Sequence, residues 1–190
     1  MKKLGLAVCG SFCTFDELLP QAESLKQRYE LYHILSDAAY QTDTRFGLAA
    51  AFVKALRELC GREPITTIEA AEAIGPQKLL DALAVAPCTG NTLAKLAAGI
   101  ADTPVTFACK AHLRNARPVV IAVSTNDGLA AAAKNLGTLL NRKHYYFVPF
   151  GQDDPLGKPA SLKADLGLLE DAVDAALEGR QLQPVLLPPK

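Results

Sequence analysis

Val119-Val120-Ile121-Ala122-Val123-Ser124-Thr125-Asn126-Asp127 is five apolar residues without a break, bounded by Pro118, followed by four short polar ones. A strand with one face in water alternates apolar and polar side chains, whereas a strand covered on both faces runs apolar throughout. The stretch therefore predicts an interior strand of a parallel sheet, delivering a polar turn at its carboxyl end. The same pattern recurs. Residues 4–8 run apolar, with Gly5 as their weak point, into Gly10-Ser11; 31–35 run into Ser36-Asp37; 83–86 run into Pro87-Cys88-Thr89-Gly90-Asn91-Thr92. Shorter strands are expected at 65–68 and, as the last strand, at 145–148.

Helical patterns lie between these runs. Residues 15–29 carry Leu18, Leu19, Ala22 and Leu25 at helical spacing, and Thr14 with Glu17 has the arrangement of a capping box. Further helices are expected at 45–60 (ended by Gly61), 76–82 (opened by Pro76), 91–100, 104–113 and 127–140. Strand and helix in alternation read as a three-layer α/β fold, a parallel sheet with helices on both faces. Residues 1–150 form that domain. Residues 151–190 change character: a polar loop, an amphipathic helix at 162–177 and an extended proline-containing tail at 181–190, packing on the same domain or on a neighbouring subunit.

Composition excludes several classes. Lys plus Arg and Asp plus Glu number 20 each, so no basic excess speaks for nucleic acid, and near-neutrality mildly favours an oligomer. No apolar run reaches membrane-spanning length, and the start is too short to be a secretion signal. The five cysteines, Cys9, Cys13, Cys60, Cys88 and Cys109, are odd in number and widely spaced. They form no zinc set, and the three histidines show no ligand spacing, so no metal is expected. Reduced thiols and a cytoplasmic location follow by default.

Parallel sheets of this kind hold ligands at the carboxyl ends of their strands, where the polar clusters fall. Gly10-Ser11-Phe12-Cys13-Thr14 lacks both the dinucleotide and the ATPase glycine patterns. It offers a turn, hydroxyls and a helix start that either receive a phosphate or simply cap the helix. Thr89, Gly90, Asn91 and Thr92 supply a free backbone and short donors and acceptors, against the plain alternative of a capped helix. Ser124, Thr125 and Asn126 stand in the same relation to the next helix, with Asn126 able to orient a carboxylate or a ring carbonyl. In the loop Thr42-Asp43-Thr44-Arg45-Phe46, Arg45 can clamp a carboxylate, or Asp43 caps the following helix and Arg45 faces water. Lys110 belongs to a basic cluster with Arg114 and Arg117 around His112. It suits an acidic ligand, a partner chain or a solvated helix face. Arg45, Lys110 and Asn126 are the candidate catalytic residues.

The segment from Pro87 to Thr92, with Lys95, Gly99 and Asp102 behind it, resembles the Pro-Ala-Ser-Ala-Asn-Thr segment of the flavin-binding cysteine decarboxylases. That resemblance implies a Rossmann or flavodoxin-like arrangement, assembly as trimers or multiples of trimers, and FMN held between subunits. It implies FMN contacts from Gly10, Ser11, Cys13, Ser36, Pro87, Thr89, Gly90, Asn91, Thr92, Ser124, Thr125 and Asn126. The decarboxylases carry Pro-x-Met-Asn-x-x-Met-Trp after the fifth strand. This chain keeps Asn126 but has Val123, Thr125 and Leu129 in place of the proline and methionines, and no Trp.

A closer resemblance, to the B subunits of dipicolinate synthase, rests on Gly10 to Thr14, Thr42 to Phe46, Ala86 to Leu96, Leu113-Arg114-Asn115, Ser124 to Asp127, Phe147 to Pro155 and Gly179 to Pro184. It implies work beside an A subunit that carries NADP. Together they would oxidise dihydrodipicolinate, a small dicarboxylate, to dipicolinate in the cytoplasm of the mother cell during endospore formation. A decarboxylase-like enzyme and a non-catalytic scaffold that keeps the flavoprotein fold remain the alternatives.

Overall fold

The computed structural model describes residues 1–188. In chain order the elements are β1 (Lys2–Val8), α1 (Phe15–Arg28), β2 (Tyr29–Leu35), α2 (Asp37–Gln41), α3 (Ala49–Cys60), α4 (Ile68–Glu72), β3 (Ala82–Cys88) and α5 (Gly90–Ala98). There follow α6 (Pro104–Leu113), β4 (Val119–Thr125), α7 (Ala133–Leu140), β5 (Tyr145–Phe147), β6 (Phe150–Gly151), β7 (Leu162–Ala164) and α8 (Leu169–Leu177). The first five strands are parallel, in the order β2-β1-β3-β4-β5. This is the flavodoxin-like, doubly wound arrangement. Right-handed crossovers place helices on both faces. On one, α1 and α8 pack together; on the other, α4, α5, α6 and α7 form a connected layer.

Double coverage shows in the strands. Every residue of β3 is buried, as are Val119 to Val123 of β4. Gly5 is a requirement of this packing, since a Cβ there would lie 2.5 Å from Leu83 Cδ1 and 2.6 Å from Leu80 Cδ1. Pro87 does not end its strand as expected. β3 runs on to Cys88 through a cis Ala86–Pro87 peptide, with its pairing to β4 shifted between Val85 and Cys88, a place where a strand tolerates a residue without an N–H.

Other expectations fail locally. Residues 65–68 form no strand: Ile65 makes one bridge to Ile34, and Ile68 already begins α4, capped by Thr67. Pro76 opens turns rather than a helix. α3 starts at Ala49 rather than at 45, and α7 at Ala133 rather than at 127. Thr14 forms no capping box. Its hydroxyl donates to the Ser11 carbonyl, while Glu17 accepts from Lys163 Nζ at 2.6 Å.

The largest difference follows residue 148, where the strands do not stop. β7 pairs antiparallel with the end of β4, matching Ser124 to Lys163 and Thr125 to Leu162, and β6 pairs with β7. The helix expected at 162–177 is therefore a strand, one short 3-10 turn and α8. The tail returns to the sheet: Phe150 N–H donates to the Val185 carbonyl at 3.0 Å, and Leu187 N–H to the Phe150 carbonyl at 2.8 Å. Of the tail expected at 181–190, residues 189 and 190 lie outside the described residues. Among the described residues no helix is long and apolar enough to cross a membrane.

Candidate functional site: the carboxyl rim of the sheet

Adjacent parallel strands bring the turns after β1, β3 and β4 side by side, and hydrogen bonds lace them together. Ser11 Oγ and Ser124 Oγ are 2.8 Å apart, joining the β1 and β4 turns. Thr92 Oγ1 donates to Cys9 Sγ at 3.2 Å, joining α5 to β1. Gly90 sets the start of α5 hard against the β4 turn: a Cβ there would sit 2.6 Å from Thr125 Oγ1 and 2.9 Å from Asp127 Oδ1. Those two atoms are themselves bonded, the Thr125 hydroxyl donating to the Asp127 carboxylate. Gly10 is crowded in the same way, its missing Cβ 3.0 Å from Ala38 Cβ of α2.

Three small helix starts surround this seam. Thr89 caps α5 by accepting from Thr92 N–H at 3.3 Å, and its own hydroxyl donates to Thr92 Oγ1. Ser36 caps α2 by accepting from Ala39 N–H at 3.2 Å, leaving its hydroxyl proton to donate elsewhere. The 3-10 turn Phe12–Thr14 leads into α1. Ser36, Ser11, Thr89 and Ser124 are half-buried, while Asn91 and Asn126 are exposed, their side-chain amides without a hydrogen-bond partner among the described residues.

The buried thiols of Cys9 and Cys88 are not reactive groups. Burial pushes Cys9 up to about 11 and Cys88 well above the ordinary thiol range. Both stay protonated at neutral pH and act as small apolar filler. Cys13 is exposed in the 3-10 turn before α1, and Pro87 is buried inside β3. Among the described residues no group of three or more His, Cys, Asp or Glu is placed to hold a metal ion.

The candidate catalytic residues separate. Asn126 lies at the mouth of β4. Arg45 lies on the exposed loop before α3, its guanidinium 4.8 Å from the centre of the Phe46 ring, and Asp43 caps α3 by accepting from Ala49 N–H at 2.8 Å. Lys110 is not at the rim. It lines a cavity with His144 and Tyr145, and Tyr145 pairs with Val119, the first residue of β4. It therefore belongs to the amino end of the sheet.

A feature that sequence reasoning misses borders the β1 turn. Phe15 and Phe52 stack at 3.9 Å between ring centres, Phe12 meets Phe15 edge-on at 5.5 Å, and with Thr44 and Phe46 they line a cavity of about 210 Å³. Each of Phe15 and Phe52 lies in the first turns of a helix following a rim loop, which is the signal that would have found them.

This donor set fits a flavin mononucleotide. Helix starts and hydroxyls suit a phosphate, and two unpartnered amides offer donor and acceptor together, as the edge of a flavin ring requires.

Comparison with known proteins agrees. A family model described as Flavoprotein matches residues 1–163. The B subunit of dipicolinate synthase from Bacillus subtilis (strain 168) is 43% identical over 187 residues, covering 98% of this chain and 94% of that protein. The crystal structure of the corresponding B subunit from Bacillus halodurans C matches with a TM-score of 0.91 at 38% identity, over 100% of this chain and 97% of the other. The FMN-dependent cysteine decarboxylase SpaF, at 23% identity and a TM-score of 0.69 over 94% of this chain and 97% of its own, shares the fold. This chain belongs to the flavoprotein family, among the relatives of the dipicolinate synthase B subunits.

Proposed function

We propose that this chain holds FMN at the carboxyl rim and serves as the B subunit of a dipicolinate synthase. Beside an NADP-carrying A subunit, it would take part in oxidising dihydrodipicolinate to dipicolinate during endospore formation in the mother-cell cytoplasm. The observation that carries the reading is the 43% identity spanning 98% of the chain. Ser36 and the starts of α2 and α5 would receive the phosphate, and Asn91 and Asn126 the ring edge. When bound, FMN supplies a two-electron acceptor for the hydride that leaves the dihydropyridine ring. The chain's own part is to bind and orient. Arg45 would take a substrate carboxylate through paired N–H donors, and the neighbouring phenylalanine-lined cavity would take the flat ring and exclude water. The raised pKa values of Cys9 and Cys88 remove them as proton acceptors.

Assembly as a trimer or a multiple of trimers belongs to the same proposal. It is supported by oligomeric fold neighbours, among them a dodecameric FMN-dependent UbiX-like decarboxylase from Escherichia coli O157:H7 and a DmrB protein described as a cubic cage. Cysteine decarboxylation is disfavoured by Val123, Thr125 and Leu129, which depart from the decarboxylase pattern that the chain resembles around Asn126.

The test is to purify the chain alone and with its A subunit, titrate FMN, and follow turnover of dihydrodipicolinate. Expected are saturable flavin binding, yellow colour, and turnover that needs both chains. A colourless protein that ignores added FMN would remove the cofactor. Full turnover by the A subunit alone would remove the assigned role.

A further inference from the structure

At the amino end of the sheet, about 20 Å from the rim by the length of β4, lies a cavity of about 490 Å³. Its floor is apolar: Leu96, Leu113 and Tyr145, with Ile100 at the lip, 48% exposed. Its wall carries Lys110, Arg114, Arg142 and Lys143, and among the described residues no acidic one lines it.

These cations are unusual in company and in partners. Lys110 and Arg114 are four apart at the end of α6, which places them on one face and makes them repel. Among the described residues, Lys110, Arg114 and Lys143 have no carboxylate partner, although the chain holds as many acids as bases, 20 each. The acid nearest Lys110 and Arg114 in sequence, Asp102, is taken by Lys95 at 2.8 Å. The carbonyl end of α6 offsets part of the repulsion. The corresponding end of α5 is already served by Arg142, which donates to the Leu96 and Ala97 carbonyls at 3.1 and 2.7 Å.

We infer that this cavity is a second binding site, for a small organic anion with a flat apolar body and two negative charges. A simple inorganic anion would leave the floor wet. A neutral apolar compound would leave the cations unanswered. The acidic surface of a protein would satisfy the charges without filling the concavity, whose size is that of small-molecule sites. A planar ring bearing two carboxylates meets both demands: ring on Leu96, Leu113 and Tyr145, carboxylates on Lys110, Arg114 and Lys143. The site stands apart from the rim and does not depend on flavin being held there.

The test uses benzene-1,3-dicarboxylate as probe on the intact protein, by calorimetric titration at low salt and by backbone and methyl NMR. Expected is saturable binding with shifts at Leu96, Ile100 and Tyr145, independent of any shifts at the rim, where the proposed substrate has the same chemistry. The uncharged benzene-1,3-dicarboxamide should not bind. The double variant K110Q/R114Q should weaken binding by about tenfold or more, with thermal unfolding and FMN titration unchanged because both side chains are exposed and far from the rim. Unaltered affinity in K110Q/R114Q, shifts confined to the rim, or no saturable binding would each overturn the inference. So would a polyglutamate peptide that binds the cavity where the dicarboxylate does not, since that would make it a docking surface for protein.

Discussion

Gly90→Ala sets two effects of opposite sign against each other. Gly90 is the first residue of α5, where alanine is the better helix former by about 1 kcal/mol. If local propensity ruled, the variant would be more stable than the parent. The new Cβ, however, would lie 2.6 Å from Thr125 Oγ1 and 2.9 Å from Asp127 Oδ1, contacts that real structures do not show. Relief requires the β3 and β4 turns to part, or the Thr125–Asp127 bond to break. Overpacking of this kind costs about 1–3 kcal/mol and a lost hydrogen bond about 0.5–1.5 kcal/mol. Net destabilisation of about 1–3 kcal/mol is expected, read as a lower urea midpoint at unchanged slope. Flavin affinity should fall further than stability, because the seam that Gly90 closes carries Asn91 on one side and Asn126 on the other. Thr125→Ala in the same chain removes the obstructing hydroxyl and frees Asp127 to turn. The double variant should therefore recover part of the loss, a non-additive result expected of contacting residues. A Gly90→Ala protein as stable as the parent, binding FMN equally well, would refute the close approach and the rim built on it.

Gly5→Ala should cost about 1–3 kcal/mol, since its Cβ meets Leu83 and Leu80 in a core without slack; thermal unfolding reads it, and an unchanged midpoint contradicts the packing. His33 and His112 are buried and held neutral, lowered to about 4 from 6.5, chiefly by burial. Their folded pKa lies below the unfolded one, so stability is complete above about pH 6.5 and declines as the pH falls toward 4, by up to about 3 kcal/mol for each. Urea midpoints at pH 7.5 and 5 measure this, and His33→Phe should flatten the decline. Arg45→Ala should raise the substrate KM about tenfold through loss of a paired carboxylate contact, with stability unchanged because Arg45 is exposed; an unaltered KM removes Arg45 from the site.

The sheet is legible because each buried strand advertises itself by an apolar run closed by short polar residues, and the right-handed crossover then fixes the hand of each connection. What escapes a reading of the residues is short or set by contacts distant in sequence. β6 and β7 span Phe150–Gly151 and Leu162–Ala164, too few residues for any period to register, and they become strands only because the end of β4 offers unpaired backbone. Glu17 reads as a capping residue until Lys163 is brought against it. The chemistry of Lys110 suggests the ligand end of the sheet. The topology argues otherwise, since the last turn of a helix that feeds a parallel strand lies at that strand's beginning. The rim residues Ser11, Thr89, Gly90 and Ser124 can be found by position on the sheet. Their mutual bonds cannot, because nothing local announces that Ser11 meets Ser124 or that Thr92 meets Cys9.

The return of the tail to Phe150 has a consequence for how copies of this chain can associate. By donating and accepting at residue 150 on both sides of Leu186, the segment Val185 to Leu187 occupies the backbone valences that an incoming strand would need. This margin is closed to intermolecular ladder growth, and any assembly there must proceed through side chains. A chain shortened to end before Pro184 would uncover those valences and leave Phe150 at an open border. It would be expected to self-associate in a way the chain with its tail in place does not.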